Sequence, residues 1–284
     1  MMNFKTIDTS KSGTREIQGI LTSAIAPRPI AFASTIDKDG KPNLSPFSFF
    51  NAFGANPPIL IFSPARRGKD NTTKHTFNNI KDVPEVVINV VNFEIVEQMS
   101  LSSSDFAKGV NEFAKAGLTA IPSESIRPFR VKESPVQFEC TVQQVIETGT
   151  EGGAGNLVIC HVNRIHINEE VLDTNGNIDA HLIDLVGRMG GSDYVRTRDA
   201  LFTVPKPLTG LGIGVDALPQ HIRESKFLNG MQLSRLASVD RLPSAEEISS
   251  RQDFFKGIGE SATDYVDSLI EKGDAWDALC YLMS

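Results

Sequence analysis

Along the first two-thirds of the chain, apolar residues recur mostly at strand spacing. Ile30–Ile36 (IAFASTI) is a β-rich run closed by the turn signal Asp37–Gly40. KPNLSPFSFFNAF follows as a second strand, so the pair predicts a hairpin. ANPP turns the chain into Ile59–Ser63 (ILIFS), a short apolar strand. Glu85–Phe93 (EVVINVVNF) is a continuous β-branched run, the pattern of a buried strand. Val136–Gly149 alternates apolar and polar positions, and the glycine-rich Glu151–Gly155 links it to Asn156–Ile167. That predicts a second long hairpin whose loop exceeds a tight turn. DTNGNID and Gly190–Gly191 mark later turns. Helical spacing is rarer here. Phe77 and Ile80 predict a short helix with Thr72 or Thr73 as N-cap. Residues 94–120 read as helical, ending at the C-cap glycine Gly117.

The period changes after Val204–Pro207 (VPKP), where strand signals stop. Ser244 with Glu247 resembles a capping box. Tyr265, Val266, Leu269 and Ile270, then Trp276, Leu279, Cys280 and Met283, recur at helical spacing. The pattern therefore predicts a mainly antiparallel β domain with peripheral helices over 15–204 and a helical C-terminal extension over 205–284. A chain of 284 residues buries a large core without disulfide staples. Its three scattered cysteines fit free thiols in a reducing compartment.

Charge narrows the function. A net charge of −7 argues against general nucleic-acid binding, which needs a basic face. The N-terminus lacks a basic start followed by an apolar run, and no apolar run approaches the ~20 residues that span a bilayer. No membrane association and a cytoplasmic location are expected.

Within this acidic chain, Arg66, Arg67, Lys69 and Lys74 fall within nine residues, interleaved with Ser63, Asn71, Thr72, Thr73 and Thr76. A helix starting near Thr73 would aim free backbone N–H groups at the same place. The cluster reads either as a site for one phosphate monoester dianion or as a solvated loop. SPFSFFN (Ser45–Asn51) raises a similar pair of readings, because it holds three of the chain's 17 Phe within four positions. On one continuous strand, Ser45, Phe47, Phe49 and Asn51 share a face, and Pro46, Ser48 and Phe50 share the other. Pro46 cannot donate to a ladder, so the strand is an edge or is bent there. The stretch is either a ligand wall or a core strand. GxSxG, HExxH, CxxC and P-loop motifs are absent. His161 and His166, five apart on a predicted strand, are poor candidates for one metal site, and no metal is expected.

The order of motifs adds a family resemblance. RPIAFASTIDKDGKPNLSPFSFFNAF, then NPPILIFSPARR, then Lys74-His75-Thr76 with Asn79 three positions on, and finally VGRMGGSDY (Val186–Tyr194), resemble the flavin reductase-like family of FMN-binding split barrels. Histidine stands at position 75 where that family has aspartate, and many members have tryptophan where Phe32 stands. The resemblance covers about residues 17–200. It implies a six-stranded antiparallel barrel binding FMN, a homodimer with FMN near the interface, and in many members flavin reduction by NADH or NADPH. A monooxygenase or another acceptor would then take the electrons. It also allows a flavoredoxin-like electron carrier, a flavin-binding module without a nicotinamide site, or a barrel that has lost flavin. Carried over by motif, Ser45, Pro46, Phe47 and Ser48 would lie along the isoalloxazine edge. Ser63, Arg67, Lys74 and Thr76 would surround the ribityl phosphate, with Arg28, Ser34, Asn51 and Arg188 as further neighbours. No catalytic side chain is assigned, since the cofactor carries the chemistry.

Overall fold

A computed structural model describes residues 2–204, 212–255 and 262–284. They fall into two compact units, Met1–Leu201 and Phe202–Ser284.

The first unit is built on one antiparallel sheet. Its strands are β1 (Ala31–Ile36), β2 (Pro42–Phe47), β3 (Phe50–Ala55), β4 (Pro58–Phe62), β5 (Glu85–Val90), β8 (Val136–Glu147) and β9 (Asn156–Ile167). Two short ladders stand apart, β6 (Ala120–Ile121) with β7 (Arg130–Val131) and β10 (Val186–Arg188) with β11 (Tyr194–Arg196). The sheet order is β2-β1-β5-β8-β9-β4-β3. β1 is buried throughout because it lies between two cores. Ala31 and Ala33 join Phe62, Ile88 and Cys160 on one side, while Ile30 and Phe32 join Val91, Met99 and Phe113 on the other. The expected long hairpin is present as β8 and β9.

The predicted strand 41–53 is not continuous. It breaks at Ser48–Phe49 into β2 and β3, so the sheet has seven strands where the resemblance implied six. The two halves are the opposite edges of the sheet. Three residue steps separate Phe47 from Phe50, a reach of at most about 11 Å. Ser63 N–H also donates to Phe49 O at 2.9 Å. The sheet must therefore curl until its edges meet at this corner, which makes an open, split barrel. The edge position expected from Pro46 holds: its Cα partner is Phe32 on β1, and among the described residues no strand pairs on its other side.

Three helices pack on this sheet, α2 (His75–Asp82), α3 (Val96–Ser102) and α4 (Glu112–Ala116), while α1 (Thr14–Ala24) buries none of its residues. Residues 94–120 are thus two short helices and a loop, not one helical stretch. The Ser-Ser-Ser-Asp run after Leu101 and Gly109 at φ +86° stop helix propagation. Gly117 does cap α4 in the left-handed conformation, φ +66°. Thr72 and Thr73 do not cap α2. Lys74 is its N-cap and makes no side-chain cap bond, because Thr72 Oγ1 is engaged by Asp70 and Thr73 Oγ1 by Asn78.

Among the described residues, one carboxylate is fully buried. Glu139 on β8 accepts from the amides of Glu124 (2.8 Å) and Ser125 (2.7 Å), from Ser125 Oγ (2.5 Å) and from His166 Nε2 (2.8 Å). Burial acts to raise this carboxyl, but the hydrogen bonds together outweigh it and hold it at about 2. Cys140 and Cys160 are buried free thiols. Burial pushes Cys160 up to about 12, so neither acts as a thiolate at neutral pH.

The second unit is helical in its described residues: α5 (Gln220–Arg223), α6 (Gly230–Leu236), α7 (Ala245–Phe255), α8 (Ala262–Lys272) and α9 (Ala275–Leu282). The expected capping box is formed. Glu247 N–H donates to Ser244 Oγ at 3.2 Å, and Ser244 N–H donates to Glu247 Oε2 at 2.8 Å. The helical-period residues Val266, Leu269, Ile270 and Leu279 make its core. The boundary read at 204/205 adjoins residues 205–211, which lie outside the described residues. Among the described residues, no helix is long and apolar enough to cross a membrane.

Candidate functional site

The corner at Ser48–Phe49 disrupts the two-residue period, and this decides what each phenylalanine does. Phe47 and Phe50 both pack on the core that holds Phe62, with the Phe47 and Phe62 rings 5.5 Å apart. The expectation that Phe47 and Phe50 occupy opposite faces therefore fails, since no continuous strand joins them. Phe49 stays 41% exposed at the corner. Ser45, Pro46 and Ser48 line a cavity beside it.

The basic segment forms the facing wall. Its order comes from internal hydrogen bonds. Arg66 spends its guanidinium on Asn71, donating to Oδ1 at 2.7 Å and to the carbonyl at 2.8 Å. Asn71 adopts φ +58° and donates to Thr150 O. The backbone of Arg66 pairs with Gly153 and Ala154, which ties the segment to the glycine-rich connection of β8 and β9. Arg66 is thus structural. Arg67 donates from Nη1 to Thr73 O (2.6 Å) and Thr72 Oγ1 (3.2 Å). Its Nε lies 3.3 Å from Asp105 Oδ1, and Lys74 Nζ lies 3.8 Å from the same oxygen. His75 opens α2 beside them. Burial, then the charges of Arg67, Lys108 and Lys74, lower its pKa and so favour the neutral imidazole.

The two walls enclose a cavity of about 680 Å³, within the range of small-molecule and cofactor sites. It brings together seven of the sequence-predicted residues: Ser45, Pro46, Phe47, Ser48, Ser63, Arg67 and Lys74. Ser63 Oγ accepts from Asn156 N–H at 3.0 Å, which fixes its rotamer. Arg188 lines an adjoining cavity of about 180 Å³ that shares Pro46, Ser48 and Ser103, and its guanidinium stacks 4.5 Å from the Tyr194 ring centre.

Thr76 is buried, accepts from Asn43 Nδ2 at 2.9 Å and lines a small adjoining cavity with Ser45, Arg67 and Lys74. Three other predicted residues lie outside these cavities. Ser34 is fully buried on β1, and among the described residues its Oγ has no partner. Asn51 is exposed on β3 and accepts from Ala52 N–H. Arg28 is buried, and its guanidinium serves the carbonyls of Thr22, Ile25 and Met189 as well as Ser48 Oγ. It positions the corner from behind. Sequence reasoning missed Gln18 on α1 and the stretch Ser103–Phe106, both of which contribute to the cavity. The Ser-Ser-Ser-Asp run was the available signal for a loop beginning at Ser103. His161 and His166 have separate partners, Asn163 and Glu139. Among the described residues, no cluster of His, Cys, Asp or Glu could hold a metal ion.

Comparison with known proteins agrees with this architecture. Residues 23–186 match the flavin reductase like domain. The chain belongs to the flavin reductase-like family. Members similar to it include an uncharacterized protein of Aquifex aeolicus, 37% identical over 62% of this chain and 88% of the relative. Among solved structures, nitrilotriacetate monooxygenase component B from Bacillus cereus is 27% identical with a TM-score of 0.66, covering 72% of this chain and all of that one. The 2-nitrobenzoate 2-nitroreductase NbaA of Pseudomonas fluorescens is 28% identical with a TM-score of 0.63, covering 73% of this chain and all of that one. The matched span of this flavin reductase-like chain contains every residue named above on the cavity of about 680 Å³ except Gln18, while Arg188 of the adjoining cavity lies just beyond it.

Proposed function

We propose that the chain is an FMN-binding oxidoreductase that takes electrons from NADH or NADPH. One observation carries the reading: the Ser45–Ser48 edge and the Arg67–Lys74 cations meet in one cavity large enough for a flavin mononucleotide. The donor set fits the phosphate end, because an oxyanion, the Asp105 carboxylate, already lies across Arg67 and Lys74. Small side chains and strand-edge backbone at Ser45–Ser48 suit the flat ring. Bound FMN would supply the acceptance of a hydride from a nicotinamide and its onward transfer as electrons. The protein's part is to hold the phosphate with Arg67 and Lys74, to fix the ring against a corner that Arg28 braces, and to exclude water with Phe49 and Phe106. Anaerobic addition of NADH or NADPH to the FMN-loaded protein is expected to bleach the flavin absorbance. Flavin that remains oxidised with both, yet is bleached by dithionite, would reduce the protein to an electron carrier.

The similarity to a monooxygenase component supports delivery of electrons to a separate oxygenase, and the free cysteines fit the proposed cytoplasmic location. The protein is further proposed to be a homodimer. Edge strand β3 exposes Asn51 through Ala55, including Phe53 at 63%, and an uncovered apolar edge invites pairing. Sedimentation is expected to give twice the chain mass, and Phe53→Asp is expected to shift it toward the single-chain value.

A further inference from the structure

The loop between α3 and α4 supplies a wall of the cavity. Residues 103–111 form neither helix nor strand, and Ser103, Asp105 and Phe106 line the space beside Arg67 and Lys74. Asp105 is 74% exposed, so packing does not hold it there. Among the described residues, the groups its carboxylate meets are the two cations, Arg67 Nε at 3.3 Å and Lys74 Nζ at 3.8 Å.

The second carboxylate of the cavity behaves differently. Asp70 accepts from Thr72 N–H at 3.0 Å and Thr72 Oγ1 at 2.6 Å. It is committed to its own turn, and that commitment lowers its pKa. Asp105 has no such turn. An exposed ion pair of this kind is weak and easily exchanged, whereas a phosphate dianion brings more charge and more acceptor oxygens to the same two cations. A dianion and the Asp105 carboxylate cannot both occupy the space between Arg67 and Lys74 without like-charge repulsion.

We propose that Asp105 is the specificity-determining counter-anion of this site. It pairs with Arg67 and Lys74 when no phosphate does, and it must swing away when a phosphorylated flavin binds. The inference rests on the proposed flavin reading and deepens it. FMN is then an exchangeable ligand, held less tightly than the cations alone would hold it, and the loop moves with each exchange.

The test is a titration of wild type and Asp105→Asn with FMN and with riboflavin, followed by flavin fluorescence, and with inorganic phosphate, followed by calorimetry. Because Asp105 is exposed, the substitution leaves the fold intact. Asp105→Asn is expected to bind FMN about three- to fivefold more tightly, the size of an exposed ion pair, with slower release. It is expected to bind phosphate more tightly as well, with riboflavin unchanged within about twofold. Unchanged or weaker FMN binding, or an equal change for FMN and riboflavin, would overturn the proposal and leave the flavin reading standing. If wild type binds neither flavin, the flavin reading falls instead, and the phosphate titration alone decides on Asp105: tighter binding by the variant upholds its role, and no change removes it.

Discussion

Lys74→Ala is expected to weaken FMN about 10- to 100-fold while leaving riboflavin almost unchanged. The reason is the single difference between the two ligands, the phosphate. A charge-assisted contact to that dianion is worth about 1.5–3 kcal/mol, and riboflavin has no such contact to lose. Lys74 is the cleaner of the two cations for this experiment. Its Nζ meets Asp105, and the α2 N-cap it occupies uses no side-chain bond. Arg67→Ala should show the same selectivity with a larger cost to the loop, because Arg67 also holds Thr73 O and Thr72 Oγ1. Fluorescence titration with both flavins checks the outcome. Equal weakening of the two would remove Lys74 from the phosphate site.

The second large effect is on stability. Glu139→Gln is expected to cost about 3 kcal/mol and to lower the melting temperature of the first unit by roughly 6–12 °C. The substitution leaves the amides of Glu124 and Ser125, the Ser125 hydroxyl and His166 facing a neutral group that can satisfy only some of them. The same carboxylate predicts an acid limb. Its folded pKa is about 2 against an ordinary 4.5, so the native state holds the charged form more strongly than the unfolded chain does. The resulting stability, about 3 kcal/mol, is complete above pH 4.5 and is lost as pH falls from there toward 2. Wild type should therefore lose its advantage over Glu139→Gln across that window. Urea midpoints at pH 6, 4 and 3 measure it. A constant difference between the two proteins would show that Glu139 is not the group that titrates.

Much of this protein was legible because its motifs are local. Ile30–Ile36, Glu85–Phe93 and the pair Val136–Gly149 and Asn156–Ile167 announce strands by composition and period, and each forms one. Ser244 and Glu247 need only three residues of separation to meet, and they do. The cluster around Arg67 and Lys74 was visible as a charge concentration in an acidic chain.

What failed were readings that needed knowledge of partners. Thr72 and Thr73 are good capping types, but Asp70 and Asn78 claim their hydroxyls first. Residues 94–120 carry helical spacing at both ends, and the loop between them faces the cavity. Arg28, read as a neighbour of the site, does meet Ser48 Oγ, but three backbone carbonyls take up the rest of its guanidinium.

The sequence by itself determined the antiparallel strands and the helical tail, and it marked the two stretches that line the candidate site. Each of these depends on periodicity or on residue type within a few positions. Only the tertiary structure decided that SPFSFFN turns a corner between the two edges of the sheet, that Phe47 and Phe50 go to the core while Phe49 stays outside, and that Asp105 lies across Arg67 and Lys74. Those facts depend on where the sheet closes, and closure is set by pairings between residues as distant in sequence as Ile59 and His161. Local period carries no record of such pairings.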